Sequence, residues 1–302
     1  MIDVLLQVVV PAFLVVGVGA LLGRTLAPDL LSVNRLALYA AVPALVFASL
    51  SSTGVTFENA GLLLAGNALF LVGMGLLAWT VSWRVERSSR RGLLATSLFG
   101  NAANIMLPVS LFAFGEEGLQ RALILYVFSA VTLFTLGPVV LGGGVGLDRR
   151  RFLGTLARLP VLWAAIAGVL VNALGLSVPL GLARGVALLG DAAIPLVLLT
   201  LGLQVARTGW RLPSGVNVAG AALKLGVAPL VGYAAGLAVG ARGLDLAVLT
   251  LLAAMPPAVN IFMLALEFGA DAEEVAATVV LSTFAAIGSL TLVIVALRLV
   301  VL

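Results

Sequence analysis

The sequence predicts an all-α polytopic membrane protein, and three features of the chain lead to this fold class. Hydrophobic residues make up 62% of the 302 residues and charged residues only 10%, whereas a soluble domain carries about 25% charged residues. The mean hydropathy is +1.21. Uncharged apolar stretches recur along the chain, and many are close to the roughly 20 residues that cross a bilayer as a helix. A membrane β-barrel would instead show short segments of alternating hydrophobicity.

Ten transmembrane helices are predicted from the apolar stretches between charged residues. They cover residues 4–23, 33–52, 59–83, 92–115, 119–142, 155–175, 182–205, 214–239, 244–266 and 273–300. The fourth and ninth differ from the rest, because polar and helix-breaking residues interrupt them near the centre. These interruptions read GNAANIMLP at 100–108 and MPPAVNIF at 255–262. Since proline removes a backbone donor and clashes with the preceding turn, both helices are expected to break.

The arginines in the connections predict the orientation, because cytoplasmic loops of membrane proteins are enriched in Lys and Arg. One side collects Arg24, Arg35, Arg84, Arg87, Arg90, Arg91, Arg149, Arg150, Arg151, Arg158, Arg207 and Arg211. The other side has Arg121, Arg184, Arg242 and Arg298. We therefore expect a protein of the inner cell membrane with both termini outside and a cytoplasmic connection at 142–151.

The two halves of the chain repeat the same features in the same order. The matching pairs are Pro11 with Pro160, Pro43 with Pro195, Asn104-Ile105 with Asn260-Ile261, and Phe114-Gly115 with Phe268-Gly269. This order predicts a first five-helix repeat at 1–142, a connection at 143–154 and a second repeat at 155–302. Because five is an odd number, the second repeat must be inverted, which is an architecture of secondary transporters.

The interrupted spans are the candidate binding site. Non-helical backbone at membrane depth is tolerated where it lines a cavity, and paired interruptions in two halves point to a transporter's binding site. Freed N–H groups at helix N-termini can bind an anion, while freed carbonyls can bind a cation. The residues predicted to contact substrate are Asn101, Asn104, Pro108, Pro256, Pro257 and Asn260. The alternative is a structural one, in which the prolines kink helices and the asparagines bond neighbouring helices.

Two charged residues inside predicted spans are candidates for ion coupling or for charge pairing. Asp191 lies in the seventh span and Lys224 in the eighth, and an ionisable group in a membrane is costly and usually partnered or functional. Lys224 is predicted either to pair with Asp191 or to attract an anionic substrate. The structural alternatives are that Asp191 anchors a neighbouring helix and that Lys224 snorkels to the interface.

The composition excludes several classes of function. The chain has no cysteine and no histidine, so disulfides, thiolate chemistry and imidazole relays are absent, and no metal site is predicted. Few groups remain for an intramembrane enzyme, and the protein is predicted not to be one. The sequence pI is about 10.3, but the arginines sit in short loops without a continuous basic face. No nucleic acid partner is expected.

The interrupted segments also resemble a known family. The segments GNAAN at 100–104, LGDAAIPL at 189–196 and MPPAVN at 255–260 are similar to those of the auxin efflux carrier family. The family includes the plant PIN-type carriers and bacterial relatives associated with malonate and other carboxylates. Its fold is related to that of bile acid:sodium symporters. The resemblance covers essentially the whole chain. The connection between the fifth and sixth spans departs from the plant carriers, because it lacks their long hydrophilic loop.

The resemblance implies a fold and a mechanism. Spans 4 and 9 would cross at the substrate site, with Asn104 and Asn260 contacting substrate beside Pro108, Pro256 and Pro257. Spans 1, 2, 6 and 7 would form a scaffold that joins a homodimer, and spans 3–5 and 8–10 the moving transport domain of an elevator. A secondary transporter of small organic anions, in particular carboxylates, is therefore expected in the lipid bilayer, without a cofactor. A sodium-coupled symporter, a channel and a sensor stay open as alternatives, as does the choice between H⁺ and Na⁺ as coupling ion.

Overall fold

The computed structural model describes residues 1–52, 57–143, 149–207 and 213–301. Within these ranges the chain is helical, without named strands. The helices are α1 (Ile2–Thr25), α2 (Leu30–Ser52), α3 (Phe57–Ser82), α4 (Arg87–Leu98), α5 (Ala102–Leu141), α6 (Arg149–Ala157), α7 (Pro160–Ala173), α8 (Leu180–Arg207), α9 (Gly215–Ala238), α10 (Gly243–Ala254), α11 (Asn260–Glu267) and α12 (Ala272–Val300).

Seven of the described helices are long and apolar enough to cross a membrane, namely α1, α2, α3, α5, α8, α9 and α12. The helices α7 and α10 are apolar but shorter. This confirms a polytopic helical membrane protein. Residues 144–148 of the predicted cytoplasmic connection lie outside the described residues. The start predicted for the sixth span is wrong, because residues 155–157 end α6 and Pro160, which favours the first position of a helix, begins α7.

Both predicted interruptions are present, but their causes differ. In the second half, α10 ends at Ala254 because a residue before proline is disfavoured in the α conformation, and Met255 is extended with ψ 141°. In the first half the break lies at 99–101, where Phe99 is extended with ψ 110°. The expectation that Pro108 breaks the fourth span is wrong, because Pro108 lies within α5.

Proline is accommodated inside the helices by wider turns. Four π-helical segments, Leu5–Val9, Ala37–Ala41, Ala102–Met106 and Leu223–Val227, each end two residues before a proline. Those prolines are Pro11, Pro43, Pro108 and Pro229. A wider turn relieves the clash of the proline ring with the preceding carbonyl and re-pairs the backbone. The helix therefore continues past each proline.

One group of helices is held by close backbone contacts at glycines. The second half of α8 packs along α1, where Gly202 faces the backbone of Val16 and Gly19 faces that of Leu199. The helix α2 packs on both α7 and the first half of α8. A Cβ at Gly168 of α7 would lie 3.1 Å from Leu50 Cβ. Small residues permit such approach between membrane helices, where van der Waals packing drives association.

The other helices form a second group. The helix α9 packs between α3 and α10, and its first turns pack on α12. There Asn217 Nδ2 donates hydrogen bonds to the Glu274 carbonyl and the Thr278 hydroxyl, both at 3.0 Å. The helix α5 is kinked at Gly115, which has φ 68° and ψ −163°. Just after this kink, Arg121 pairs with Asp245 of α10. These contacts join α3, α5, α9, α10 and α12 into one packed unit around the two interruptions.

Candidate functional site

The two interruptions cross each other and are joined through their backbones. The N–H of Asn101 donates to the carbonyl of Pro256 at 2.7 Å, and the N–H of Ala258 donates to the carbonyl of Phe99 at 2.9 Å. These bonds form an antiparallel bridge centred on Gly100 and Pro257. Each broken segment thus provides hydrogen-bond partners for backbone groups of the other. Such pairing is required of non-helical backbone away from water.

The crossing brings four helix ends together. The helices α4 and α10 end at it, while α5 and α11 begin just beyond it. A helix C-terminus carries partial negative charge and an N-terminus partial positive charge. The crossing therefore presents two ends that favour a cation and two that favour an anion. The α5 start is capped locally, because Asn101 Oδ1 accepts a hydrogen bond from the Asn104 N–H at 3.1 Å.

The predicted asparagines are brought together at this crossing. Asn101 is 2% exposed and Asn104 is 7% exposed, whereas Asn260, at the start of α11, is half-buried. The Asn101 Nδ2 atom is buried and has no hydrogen-bond partner among the described residues. A buried amide donor without a partner is costly. The three side chains therefore supply amide groups at one place in the fold, and one of those donors is available to a ligand.

The predicted prolines have a different role from the asparagines. Pro108, Pro256 and Pro257 are buried, and none of them lines the described cavities. Their rings pack inside the protein, and the substrate contact expected of them stays a prediction. Pro256 acts through its carbonyl, which accepts the crossing hydrogen bond. Pro256 and Pro257 thus lie in the second interruption and Pro108 lies inside α5, whereas the asparagines line the small cavity.

Three neighbouring cavities meet at Asn34 and Asn260, beside the crossing. A cavity of about 60 Å³ is lined by 100–104 and by Asn260. Two larger cavities have volumes of about 560 Å³ each. Asn34 and Asn260 line the small cavity and both of the larger ones. A volume of 560 Å³ is within the roughly 300–1,000 Å³ of small-molecule sites. The two larger cavities beside Asn260 are therefore each large enough for a small organic ligand.

The larger cavities open towards one end of the molecule. Their walls come from the start of α2, the start of α7, the end of α8, all of α11 and the start of α12. Leu31 and Met263 in these walls are each 56% exposed. Arg207 contributes a cation at the wall and is held by a hydrogen bond from its Nη2 to the Pro28 carbonyl at 2.7 Å. This end includes the start of α2 and the end of α8, which adjoin arginine-rich connections in the sequence.

The two predicted ionisable residues are not brought together. Asp191 is exposed at the end of the first half of α8 and lines none of the described cavities. Lys224 is fully buried, and its Nζ has no hydrogen-bond partner among the described residues. The pairing of Lys224 with Asp191 is therefore absent from this structure. Snorkelling of Lys224 is likewise contradicted, because its ammonium is enclosed by protein.

Sequence reasoning missed three residues of the site. Asn34 of α2 and Tyr126 and Ser129 of α5 line the small cavity beside the asparagines. Asn34 lies beside Arg35 at the start of a predicted span, so its polarity resembled that of an interfacial residue. The only available signal was a polar residue at the start of an apolar span. The convergence of α2 with the crossing is a tertiary feature.

Known proteins resemble this chain over most of its length. Residues 150–294 match the family described as membrane transport protein. The chain is 29% identical to an uncharacterized transporter of Methanothermobacter thermautotrophicus over 87% of this chain and 88% of that relative. An uncharacterized transporter of Methanocaldococcus jannaschii is 24% identical over 83% and 84%. A Rhizobium meliloti protein, provisionally named as a malonate transporter, is 27% identical over 85% and 84%.

Long apolar helices and these matches together define a multi-pass membrane transporter and not an enzyme. The family match over residues 150–294 and the transporter relatives support the resemblance to the auxin efflux carrier family that the interrupted segments predict.

Proposed function

We propose that this chain is a secondary transporter of small organic anions, with carboxylates as the substrate class and the crossing as the binding site. The observation that carries the proposal is the hydrogen-bonded crossing of the two interruptions, with α5 and α11 beginning beside one set of cavities. Helix N-termini attract anions through their free N–H groups and their dipoles. Asn101, Asn104 and Asn260 add neutral amide donors that orient a carboxylate without repelling it.

The carboxylate class has two further supports. Arg207 lies in the wall of one large cavity and raises the local concentration of anions. A relative that is 27% identical is provisionally named as a malonate transporter. Malonate is small enough for a 560 Å³ cavity, and its carboxylates suit the N-terminal helix ends. A soluble dicarboxylate is therefore the first substrate to test.

For the transport step we propose an elevator built from two inverted repeats of five spans. The grouping of helices supports it, since α1, α2, α7 and α8 pack with one another and the crossing is embedded in the other group. Each candidate cavity has walls from both groups. Movement of the second group along the first would carry the crossing from one membrane face to the other. The described conformation, with its cavities open at the arginine-rich end, would be the inward-facing one.

A homodimer through α1, α2, α7 and α8 is part of the proposal. Asp191 supports it, because an exposed carboxylate within a transmembrane helix is costly beside lipid. A second copy packed on this face would cover Asp191 and supply polar partners. The neighbouring side chains Leu188 and Leu189 are 74% and 53% exposed and would add apolar contact area. Cross-linking of the purified protein in lipid nanodiscs would report the dimer.

The test of the proposed function combines binding and uptake. Purified protein is screened by thermal shift against malonate and other carboxylates, because a ligand that binds the folded state raises the melting temperature. Uptake of the stabilising carboxylate is then measured in proteoliposomes. We expect Asn260→Ala to lose both the thermal shift and the uptake. The matched control is Asn172→Ala, since Asn172 lies at the exposed end of α7 and lines none of the described cavities.

Two results would contradict the proposal. Binding of only neutral or cationic compounds at Asn260 would exclude the anion class. Discrete single-channel openings in a bilayer would exclude a carrier mechanism, if the ion flux through each opening far exceeds the turnover rate of a transporter.

A further inference from the structure

The one lysine of the chain is buried beside the crossing without a polar partner. Lys224 lies in the π-helical segment Leu223–Val227 at the centre of α9 and is 0% exposed. Its Nζ has no hydrogen-bond partner in the described part of the chain. A buried ammonium in that condition is very unfavourable unless its surroundings compensate the charge. The positive charge of Lys224 must therefore be stabilised by negative electrostatic potential from nearby groups.

The ammonium lies at the side of the crossing where helices end. A Cβ built on Gly100 would be 3.5 Å from Lys224 Nζ and 3.1 Å from the carbonyl oxygen of Leu252. Gly100 directly follows the extended residue that ends α4, and Leu252 belongs to the last turn of α10. Both neighbouring helix ends are C-terminal and carry partial negative charge. The Phe70 ring adds its π face, with its centroid 5.3 Å from Nζ.

Among the described residues, no carboxylate forms an ion pair with this ammonium. The helices packed against its turn are α4, α10 and α12, besides the flanking turns of α9. Their acidic residues, Asp245, Glu273 and Glu274, lie in first turns near the membrane surface. Asp245 is already paired with Arg121 at 2.5 Å. The compensating groups are therefore the two C-terminal helix ends, the aromatic face and any anion bound at the opposite side of the crossing.

In transporters with broken helices, the C-terminal ends and unwound carbonyls are where a coupling cation binds. We propose that the Lys224 ammonium takes the place of that cation, as a tethered ion that makes anion transport independent of bound Na⁺. The inference rests on the proposed function, because the anion it stabilises is the substrate. The substrate then binds at the N-terminal ends while a covalently held charge occupies the C-terminal ends. Lys224 is thus a residue that determines ion specificity.

The test removes the tethered ion and returns it as a free one. Lys224→Ala deletes the atoms of n-propylammonium and leaves a space of that shape. Malonate uptake by the wild-type protein should be equal in Na⁺ and in choline. Uptake by Lys224→Ala should fall roughly tenfold or more, the size of effect expected for one lost charge interaction, and n-propylammonium or Na⁺ should restore part of it. Lys224→Met, which keeps the length without the charge, should stay inactive in every cation.

A thermal-shift measurement separates failure of this inference from failure of the proposed function. n-Propylammonium should stabilise Lys224→Ala and leave the wild-type protein unchanged, whatever the transported substrate is. If no carboxylate is transported but this stabilisation is seen, the proposed function fails and the cation site stands. A wild-type protein that needs a Na⁺ gradient, or a fully active Lys224→Met variant, would overturn the inference. A folded Lys224→Ala that no cation stabilises or reactivates would overturn it as well.

Discussion

The backbone N–H of Asn101 donates to the carbonyl of Pro256 at 2.7 Å, although the two residues lie in different halves of the chain. With the return bond from Ala258 to Phe99, this bond makes the two interruptions a single unit. Each break alone would expose unpaired backbone within the membrane, where an unsatisfied group costs several kcal/mol. The halves therefore stabilise each other at the place where a ligand can bind.

The closeness of the two interruptions can be tested at Gly100. A Cβ there would lie 3.1 Å from the Leu252 oxygen and 3.2 Å from Met255 Cβ, both tighter than ordinary contacts. We expect Gly100→Ala to destabilise the protein by about 1–3 kcal/mol, the usual cost of overpacking, and to abolish uptake. Thermal unfolding in detergent and proteoliposome uptake are the measurements. Gly288→Ala is the control, because nothing lies within 4 Å of the added Cβ, and an unaffected Gly100→Ala would contradict the tight crossing.

The preference for an anion can be tested by adding a negative charge to the site. Asn260→Asp keeps the size of the side chain and places a carboxylate at the start of α11, where an acidic residue is compatible with the helix dipole. We expect the melting temperature to be nearly unchanged. Affinity for a carboxylate substrate should fall roughly tenfold or more, because like charges placed together cost several kcal/mol. Thermal unfolding measures the melting temperature and equilibrium binding measures the affinity. The control Asn172→Asp lines none of the described cavities and should bind normally, although it loses the hydrogen bond from Asn172 Nδ2 to the Leu50 carbonyl.

The pair Arg121–Asp245 can be tested for its contribution to the stability of the second helix group, which contains α3, α5, α9, α10 and α12. The Nε–Oδ1 distance is 2.5 Å, and the two side chains are 16% and 14% exposed. Such a pair should couple more strongly than a surface ion pair. A double-mutant cycle with Arg121→Met and Asp245→Asn should give a coupling of roughly 1–3 kcal/mol in thermal or denaturant unfolding. Additive effects of the two substitutions would show that the pair contributes nothing beyond its separate residues.

The open end of the cavities can be located with single cysteines, since the chain has none of its own. Met263 lines both large cavities and is 56% exposed. In inside-out vesicles, we expect Met263→Cys to react with a charged, membrane-impermeant thiol reagent, and bound carboxylate should slow the reaction. Leu26→Cys is the control, because Leu26 is 73% exposed in the connection after α1 and lines neither large cavity, so bound carboxylate should not slow its labelling. Faster labelling in right-side-out vesicles would reverse the proposed orientation.

The positions of the helices could be predicted from the sequence because hydrophobic length is a local property. The interruption at Pro256 and Pro257 was predictable for the same reason, since the residue before proline avoids the α conformation whatever surrounds it. The effect of Pro108 was not predictable in this way. A π-helical turn absorbs it, and whether a helix breaks or widens at a proline depends on the packing of its neighbours.

For the charged residues too, the sequence predicted one property and left another undetermined. Composition marked Asp191 and Lys224 as unusual, because both interrupt apolar spans. Their environments were not predictable from depth along a helix. Depth gives the distance from the membrane surface, whereas the rotation of α8 and α9 decides which side chains face outwards. Asp191 is exposed on α8, and Lys224 is enclosed between helices that are distant in sequence.

The sequence by itself determined the membrane class, the approximate helices and the two interruptions, because each follows from the chemistry of neighbouring residues. Only the tertiary structure decided that the interruptions cross, that Asn34 joins Asn101, Asn104 and Asn260 at shared cavities, and that Lys224 lies beside the helix ends. These features arise from contacts between distant segments. Such contacts depend on how glycine-lined helix faces fit together, and no local pattern specifies that fit.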